Sequence, residues 1–150
     1  MSMRATMQVD GLAQVNQAFN RYVKRIHEVG SRDMRKVTMH LRNRSVALAP
    51  KDTGSLRDSG YSRVDSGMGP GPVVYAGPNR GKEQLIAPTD PTRGAIVGIV
   101  GFGEVYAFVQ HEDLAFFHEN GQAKYLETPF KANAQAYINM LETGVKGTKL

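Results

Sequence analysis

The feature that most constrains this chain is a run of apolar residues that recur mostly every three or four positions from Leu12 to Val29 and resume from Met34 to Leu48. This is the spacing of one face of an α-helix. The apolar positions are Leu12, Val15, Phe19, Tyr22, Val23, Ile26, Val29, Met34, Val37, Leu41 and Leu48. Asp10 precedes the run and is of a residue type that caps helix N-termini. The pattern predicts that the N-terminal third of the chain is helical.

The length of this run raises the question of whether it forms one helix or two. A straight helix over residues 10–49 would be about 60 Å long, whereas a globular chain of this size has a radius of gyration of about 15 Å. Gly30-Ser31 interrupts the pattern, and such a pair suits the end of one helix and the start of another. We therefore expect a helical pair, or one long bent helix. Pro50 should end the helical half.

The middle of the chain predicts a mostly antiparallel sheet of about four strands. Thr53-Gly54 favours a turn, and residues 56–65 then predict a polar, exposed strand. Residues 73–76 predict a second strand, and the apolar residues 106–109 predict a further strand-like run. The apolar run 95–102 predicts a central strand covered on both faces. Glycine within that run predicts the close approach of another backbone.

Two further segments complete the expected fold. Glycines and prolines punctuate residues 66–94, which predicts a long loop, either a functional arm or a mobile hairpin. Gly121 can take a positive φ, and Pro129 suits the first turn of a C-terminal helix. That helix has an apolar face made by Phe130, Ala134, Tyr137, Ile138 and Leu141. Gly144 should end it, before a loose tail at 145–150. The chain thus predicts one α+β domain spanning residues 1–150, with its C-terminal helix packed on the sheet.

Three groups of residues carry a resemblance to a known family. The first group is Ala49-Pro50-x-x-Thr53-Gly54-x-Leu56. The second is Val100-Gly101-Phe102 running into Tyr106-Ala107, with His111-Glu112 shortly after. The third is Gly121-Gln122-Ala123-Lys124-Tyr125-Leu126-Glu127-Thr128-Pro129. In order and spacing they resemble the small proteins of tailed bacteriophages that act at the head–tail junction, known as head-tail joining, neck or tail-completion proteins.

The resemblance implies a virion structural protein and not an enzyme. Such a protein would be made in the host bacterial cytoplasm and would form a homo-oligomeric ring of six or twelve copies at the neck. The ring would join the head connector to the tail tube or tail terminator proteins around the DNA channel. For the contacts we expect the arm at 66–94 and the segment 116–125 to be used. The candidate interface residues are Tyr75, Phe116, Phe117, His118, Lys124 and Tyr125.

Positive charge is concentrated in one segment of the chain. The formal net charge is +5, and residues 21–44 hold eight basic residues against two acidic ones. Five arginines fall near one another on the helix surface, across from its apolar face: Arg21, Arg25, Arg32, Arg35 and Arg42. Three interpretations stay open, namely a solvated face, a surface for DNA phosphates, or a surface for an acidic neighbouring subunit. A basic nucleic-acid-binding protein is therefore an alternative function.

A metal-dependent hydrolase using His111, Glu112 and His118 is a second alternative. Zinc peptidases need two histidines one helical turn apart with the glutamate between them, whereas these histidines are seven residues apart. We therefore predict structural roles for them, either a hydrogen bond within this segment or a polar contact to a partner. The glycines at 98–103 lack a following Gly-Lys-Ser/Thr, so they do not form a phosphate-binding loop.

Composition excludes several other kinds of protein. The chain has no cysteine, which excludes a disulfide framework and thiolate metal sites. It has no run of about 18 apolar residues and no signal-peptide pattern at its start, so we expect neither a membrane span nor export. We expect no catalytic residues, no bound metal and no cofactor.

Overall fold

The computed structural model describes residues 11–51, 54–66, 70–78, 95–115 and 117–149. Within them the fold is α+β, as predicted. The helices are α1 (Leu12–Leu48), α2 (Ser55–Asp58), α3 (Ala107–Glu112) and α4 (Glu127–Lys146). The strands are β1 (Gly60–Ser66), β2 (Val74–Tyr75) and β3 (Ile96–Phe102). They form an antiparallel sheet in the order β2-β1-β3.

Residues 12–48 form one continuous helix of 37 residues, so of the two predicted alternatives the helical pair is wrong and one long helix is formed. Gly30 lies inside α1, where a Cβ atom would come within 2.7 Å of Ile96 Cδ1. The glycine therefore makes room for β3 and does not end a helix. The expected cap at Asp10 lies outside the described residues, and Gly11 is the N-cap residue with a φ of 88°.

The C-terminal end of α1 lies where the sequence predicted it. The helix ends at Leu48, and Ala49 has an extended ψ of 143°. A residue before proline avoids the α conformation because the proline ring would clash with it. Pro50 thus ends the helix as predicted.

The sheet differs from the prediction in which strand is central. β1 pairs with both β2 and β3, and most of its residues are buried, although its sequence is polar. The predicted exposed strand is therefore wrong, and residues 55–58 form the short helix α2 instead. Asp65 on β1 is buried because it accepts hydrogen bonds from Arg63 at 2.8 Å and from the Gly71 amide at 3.1 Å. Partners of this kind allow a polar strand to occupy the middle of a sheet.

The apolar strand β3 pairs only with β1 among the described residues, so it is not the central strand. Its glycines face side chains and not another backbone. A Cβ atom at Gly98 would lie 2.6 Å from Thr38 Cγ2, and one at Gly101 would lie 2.6 Å from the Tyr61 hydroxyl oxygen.

The described sheet has three strands instead of four, because the residues after Tyr106 form α3. Most of the predicted arm, at 67–69 and 79–94, lies outside the described residues.

The C-terminal helix packs on α1 and not on the sheet, which corrects the prediction. Tyr137 of α4 is buried against Val37 and Leu41, and its hydroxyl lies 2.7 Å from Nδ1 of His40. The helix also runs past Gly144, to Lys146. Gly144 lies against the carboxylate of Asp33, which explains a glycine at this position in the helix.

Asp33 is a buried charge at this contact between α1 and α4. It is 4% exposed and accepts hydrogen bonds from Arg32 Nε at 3.0 Å and Lys36 Nζ at 3.0 Å. The bonds from Arg32, with those from Lys36, hold the pKa of Asp33 below its ordinary value of 3.8. The ionised form of Asp33 is therefore stabilised in the folded protein.

This arrangement predicts a loss of stability in acid. Because the unfolded chain binds a proton at Asp33 more readily than the folded protein does, acidification favours unfolding. We expect the free energy of unfolding to decline once the pH falls below about 4, and to decline less steeply in Asp33→Asn. Urea denaturation at neutral pH and at about pH 3 measures both slopes. Asp113→Asn, which removes an exposed carboxylate elsewhere, should keep the wild-type decline, and an equal effect of the two changes would contradict the role of Asp33.

Candidate functional site

The three groups of residues that carry the family resemblance meet at the C-terminal end of α1. Ala49, Leu56, Ala107 and Tyr125 form one buried apolar cluster, with Leu48, Phe102 and Leu126 packed against it. Each group contributes at least one member. We call this unit the corner, and it comprises residues 48–51, 54–57, 102–112 and 120–129.

Backbone contacts place the third group directly against the end of α1. The Gln122 amide donates to the Leu48 carbonyl at 2.9 Å, and the Lys51 amide donates to the Asn120 carbonyl at 3.0 Å. Carbonyls in the last turn of a helix have no partner within the helix, so the first bond supplies one. Gly121 lies between Asn120, whose carbonyl accepts, and Gln122, whose amide donates; its φ is 108°, and a Cβ atom there would be 2.6 Å from Pro50 Cα. Only glycine combines this conformation with this contact.

Tyr125 joins the third group to the second. Its side chain is 1% exposed, and its hydroxyl donates to the Ala107 carbonyl at 2.8 Å. Its ring lies edge-on to Phe102 at 4.9 Å and to His111 at 5.0 Å between centroids. Burial raises the pKa of Tyr125, so the hydroxyl remains a donor. The prediction of Tyr125 as an interface residue is wrong, because its side chain lies in the core of the corner.

His111 has the structural role that the sequence left open. Its Nε2 accepts a hydrogen bond from the Glu127 amide at 3.4 Å, and its Nδ1 lies 2.7 Å from Glu112 Oε1. Its carbonyl accepts from the Lys124 amide at 2.8 Å. Glu127 opens α4, so His111 provides an acceptor for an amide that has no partner within that helix. The predicted hydrogen bond within this segment is thereby confirmed.

Charged groups on the surface of the corner connect the same elements. The Lys124 ammonium pairs with Glu112 of α3 and, at 3.4 Å, with Glu127 of α4. The hydrogen bond from Lys124 is the main reason that the pKa of Glu112 is lowered. Lys124 has a φ of 55°, uncommon for a residue with a side chain, so these contacts hold a strained backbone position. Its spacing from Glu127 is visible in sequence, whereas its pairing with Glu112 is not.

The other predicted interface residues lie in different surroundings. Phe117 is 86% exposed, and Phe116 lies outside the described residues. His118 lines a cleft of about 410 Å³ together with Phe117, Lys51 and other residues beside the corner. Tyr75 is on β2, where its ring centroid is 6.2 Å from that of Tyr61. Among the described residues there is no group of three or more His, Asp and Glu that could hold a metal ion.

The basic surface of α1 is smaller than the sequence predicted. Arg21, Arg25 and Arg35 are exposed, and Arg32 is exposed but pairs with Asp33. Arg42 is only 6% exposed, so its assignment to the basic surface is wrong.

Arg42 connects α1 to the sheet. It donates to Ser62 Oγ of β1 at 3.3 Å and to the Val74 carbonyl of β2 at 3.0 Å. The small polar residues Thr38 and Ser45, one turn away on either side and also buried, are the sequence signal that would have placed it inside.

Of two exposed apolar surfaces, only Phe117 was among the predicted interface residues, and the other members were missed. The α1 stripe is the apolar face near the start of the helix: Leu12, Val15, Phe19 and Val23, which are 59%, 64%, 60% and 38% exposed. The α3 patch begins on the exposed side of the corner and continues into the residues after α3: Val105, Phe108, Val109, Leu114 and Phe117, which are 54–86% exposed. The sequence did offer a signal for the exposed α1 stripe, because a helix over these residues is longer than a domain of this size. Large exposed apolar surfaces of this kind mark interaction sites.

Comparison of the chain with protein-family models, with curated proteins and with solved structures gives no match. In the part of the chain that the structure describes, no helix combines the length and hydropathy needed to cross a membrane.

The geometry of Gly121 predicts a large effect of a single methyl group. Gly121→Ala must both hold a positive φ with a side chain and displace the Pro50 backbone, so we expect it to lower the free energy of unfolding by about 3 kcal/mol. Urea denaturation checks the value.

Gly54 provides the matched control. It also has a positive φ, of 91°, but a Cβ atom there would meet nothing within 4 Å. Gly54→Ala should therefore lower the free energy of unfolding only by the cost of a side chain at a positive φ, about 1 kcal/mol. Equal losses for the two variants would show that the contact between Gly121 and Pro50 contributes nothing.

Proposed function

We propose that this protein is a structural component of a tailed-phage virion that forms a homo-oligomeric ring at the head–tail junction. In this role it joins the tail to the head connector and completes the tail around the DNA channel. Its partners are other copies of itself, the connector, and the tail tube or tail terminator proteins. The proposal starts from the resemblance of the three residue groups.

The observation that carries the proposal is the convergence of those groups in the corner. Ala49 and Tyr125 are 76 positions apart in the chain, yet they share one buried cluster with Ala107. Several residues of the motifs have a structural reason to be there: Gly121 contacts Pro50, and Lys124 pairs with Glu112. The motifs therefore form one packed unit in this chain. A shared fold would require the three groups to pack together, and their packing supports the proposed function in that sense.

The exposed surfaces suit a protein that works by assembly. The corner is held by a buried cluster, backbone bonds and ion pairs, whereas the α3 patch on its outer side is exposed. Such a unit presents apolar side chains to a neighbour from a rigid base. His111 is hydrogen bonded within the corner through both ring nitrogens, so we do not favour a metal-dependent hydrolase that uses it.

A basic nucleic-acid-binding protein remains the second candidate function, favoured by one observation. The exposed cations Arg21, Lys24, Arg25 and Arg35 follow one another along α1. Lys and Arg neutralise DNA phosphates without reading the base sequence. In a neck ring the same surface would contact DNA in the channel.

Removal of the protein from its phage tests the proposed function. A stop codon early in the gene should give separate filled heads and tails, because nothing would join the two. Supplying the protein in trans should restore joined particles, and electron microscopy of particles bearing a tagged copy should locate it at the neck. Joined, infectious particles made without the protein would contradict the proposal.

DNA binding by the basic surface is tested by its dependence on salt. Each phosphate contact contributes about 0.9 to the slope of log K against log salt, so Arg21→Gln with Arg35→Gln should reduce the slope by about 2. Fluorescence anisotropy with a labelled DNA duplex measures it. The control pair Lys131→Gln with Lys146→Gln makes the same change in net charge on α4 and should leave the slope unchanged. An equal reduction in both pairs would show that only overall charge matters.

A further inference from the structure

The α1 stripe is an apolar helix face that the described residues of the chain leave uncovered. Residues 11–25 are all exposed except Ala18 and Tyr22, which are partly buried. The first fully buried residue of α1 is Asp33. Leu12, Val15, Phe19 and Val23 are spaced three or four apart, so they lie along one side of the helix. This is the arrangement by which an amphipathic helix packs against an apolar surface.

The α3 patch is a second uncovered apolar surface. Val105, Phe108 and Val109 have helical spacing around α3, and their exposed fractions are 75%, 74% and 54%. Ala107 faces the other way, into the buried cluster of the corner. Leu114 and Phe117 follow within the same segment and are 76% and 86% exposed. The patch is therefore anchored on its inner side and free on its outer side.

The two surfaces lie at opposite ends of α1 and are too far apart to meet within one copy. The corner packs against Leu48, and the stripe centres near Phe19. At 1.5 Å per residue these positions are about 44 Å apart along the helix axis. Any contact between the stripe and the patch must therefore join two copies.

Charge favours contact between unlike surfaces over contact between like ones. Residues 12–25 contain Arg21, Lys24 and Arg25 and no acidic residue. Residues 104–119 contain four acidic residues and no lysine or arginine; Glu112 already pairs with Lys124, so Asp113 and Glu119 are the exposed carboxylates that count most. The cations lie on the helix face opposite the stripe, so they would not touch a partner that packs on the stripe. They contribute only through the net positive charge of this part of the helix. Charge therefore gives no advantage to a contact between two stripes, whereas the basic segment that carries the stripe complements the acidic segment that carries the patch.

We propose that copies of this protein associate head to tail, with the α1 stripe of one copy packed against the α3 patch of the next. A contact of this kind uses two different surfaces and generates a closed ring when the rotation between copies closes. The inference rests on the proposed ring and names the surfaces that build it. It also leaves the basic face of α1 pointing away from the neighbour.

Two variants test the inference by analytical ultracentrifugation. Phe19→Glu breaks the stripe and Phe108→Glu breaks the patch. Both side chains are largely exposed, 60% and 74%, so neither change removes core packing. Each variant alone should weaken self-association about 100-fold, since buried aromatic side chains dominate interfaces. Ile138→Glu, at a residue of α4 that is 48% exposed, makes the same kind of change elsewhere and should assemble as the wild type does.

Mixing the two variants gives the decisive result. One copy retains an intact patch and the other an intact stripe, so an equimolar mixture should form one-to-one heterodimers with wild-type affinity and nothing larger. Normal assembly of Phe108→Glu alone, with loss only in Phe19→Glu, would instead show pairing between stripes and overturn the inference. So would a wild-type protein that stays monomeric, or two variants that both assemble normally. These failures leave the location of the protein in the virion untouched, since the gene-removal experiment decides that separately.

Discussion

The close approach of Gly121 to Pro50 is the contact on which the arrangement of this protein depends. It brings the segment before α4 against the end of α1, and the Gln122 amide then bonds to Leu48. Once this contact is made, Tyr125 reaches the Ala107 carbonyl and its ring packs on Phe102. The start of α4 is thereby fixed, and the helix runs back along α1 so that Tyr137 covers Val37 and Leu41. A local condition on one glycine thus sets the direction of the last 20-residue helix.

The sequence predicted the fold class and the helical character of the two long segments α1 and α4, because periodicity and proline act locally, but it predicted strands where α2 and α3 form. The end of α1 before Pro50, the positive φ of Gly121 and the place of Pro129 in the first turn of α4 all follow from backbone sterics. The errors concern tertiary contacts. Gly30 has the features of a helix end, yet its role is to admit Ile96. The central strand is polar because Arg42 and other partners satisfy it, and no count of apolar residues reveals such partners.

The sequence identified the residues that form the candidate site, but it did not show which of them are buried or which contact one another. The motifs named the residues of the corner, and the side-chain bond of His111 was among the expected roles. Some residues that the sequence assigned to the same surface differ in burial in the structure. Tyr125 and Phe117 lie eight positions apart in one predicted interface segment, but one is 1% exposed and the other 86%. Likewise Arg42 and Arg35 share a helix face on a wheel, and only Arg35 is exposed. A helical pattern shows that one face is apolar, but it does not show what covers that face.

The start of α1 shows how a helix can keep an apolar surface folded although the described residues of the same chain do not cover it. An isolated helix of about 14 residues is marginal in water because its first turn is costly to form. Here that cost does not arise, since the segment continues a helix already fixed by Val37 and Leu41. Each further residue adds a hydrogen bond to an existing helix, so residues 12–25 stay helical with little tertiary support. The apolar side chains remain exposed, and their burial energy becomes available only when a second molecule covers them. The length of α1 that seemed excessive for one domain is therefore suited to a protein whose remaining apolar contacts are made between copies.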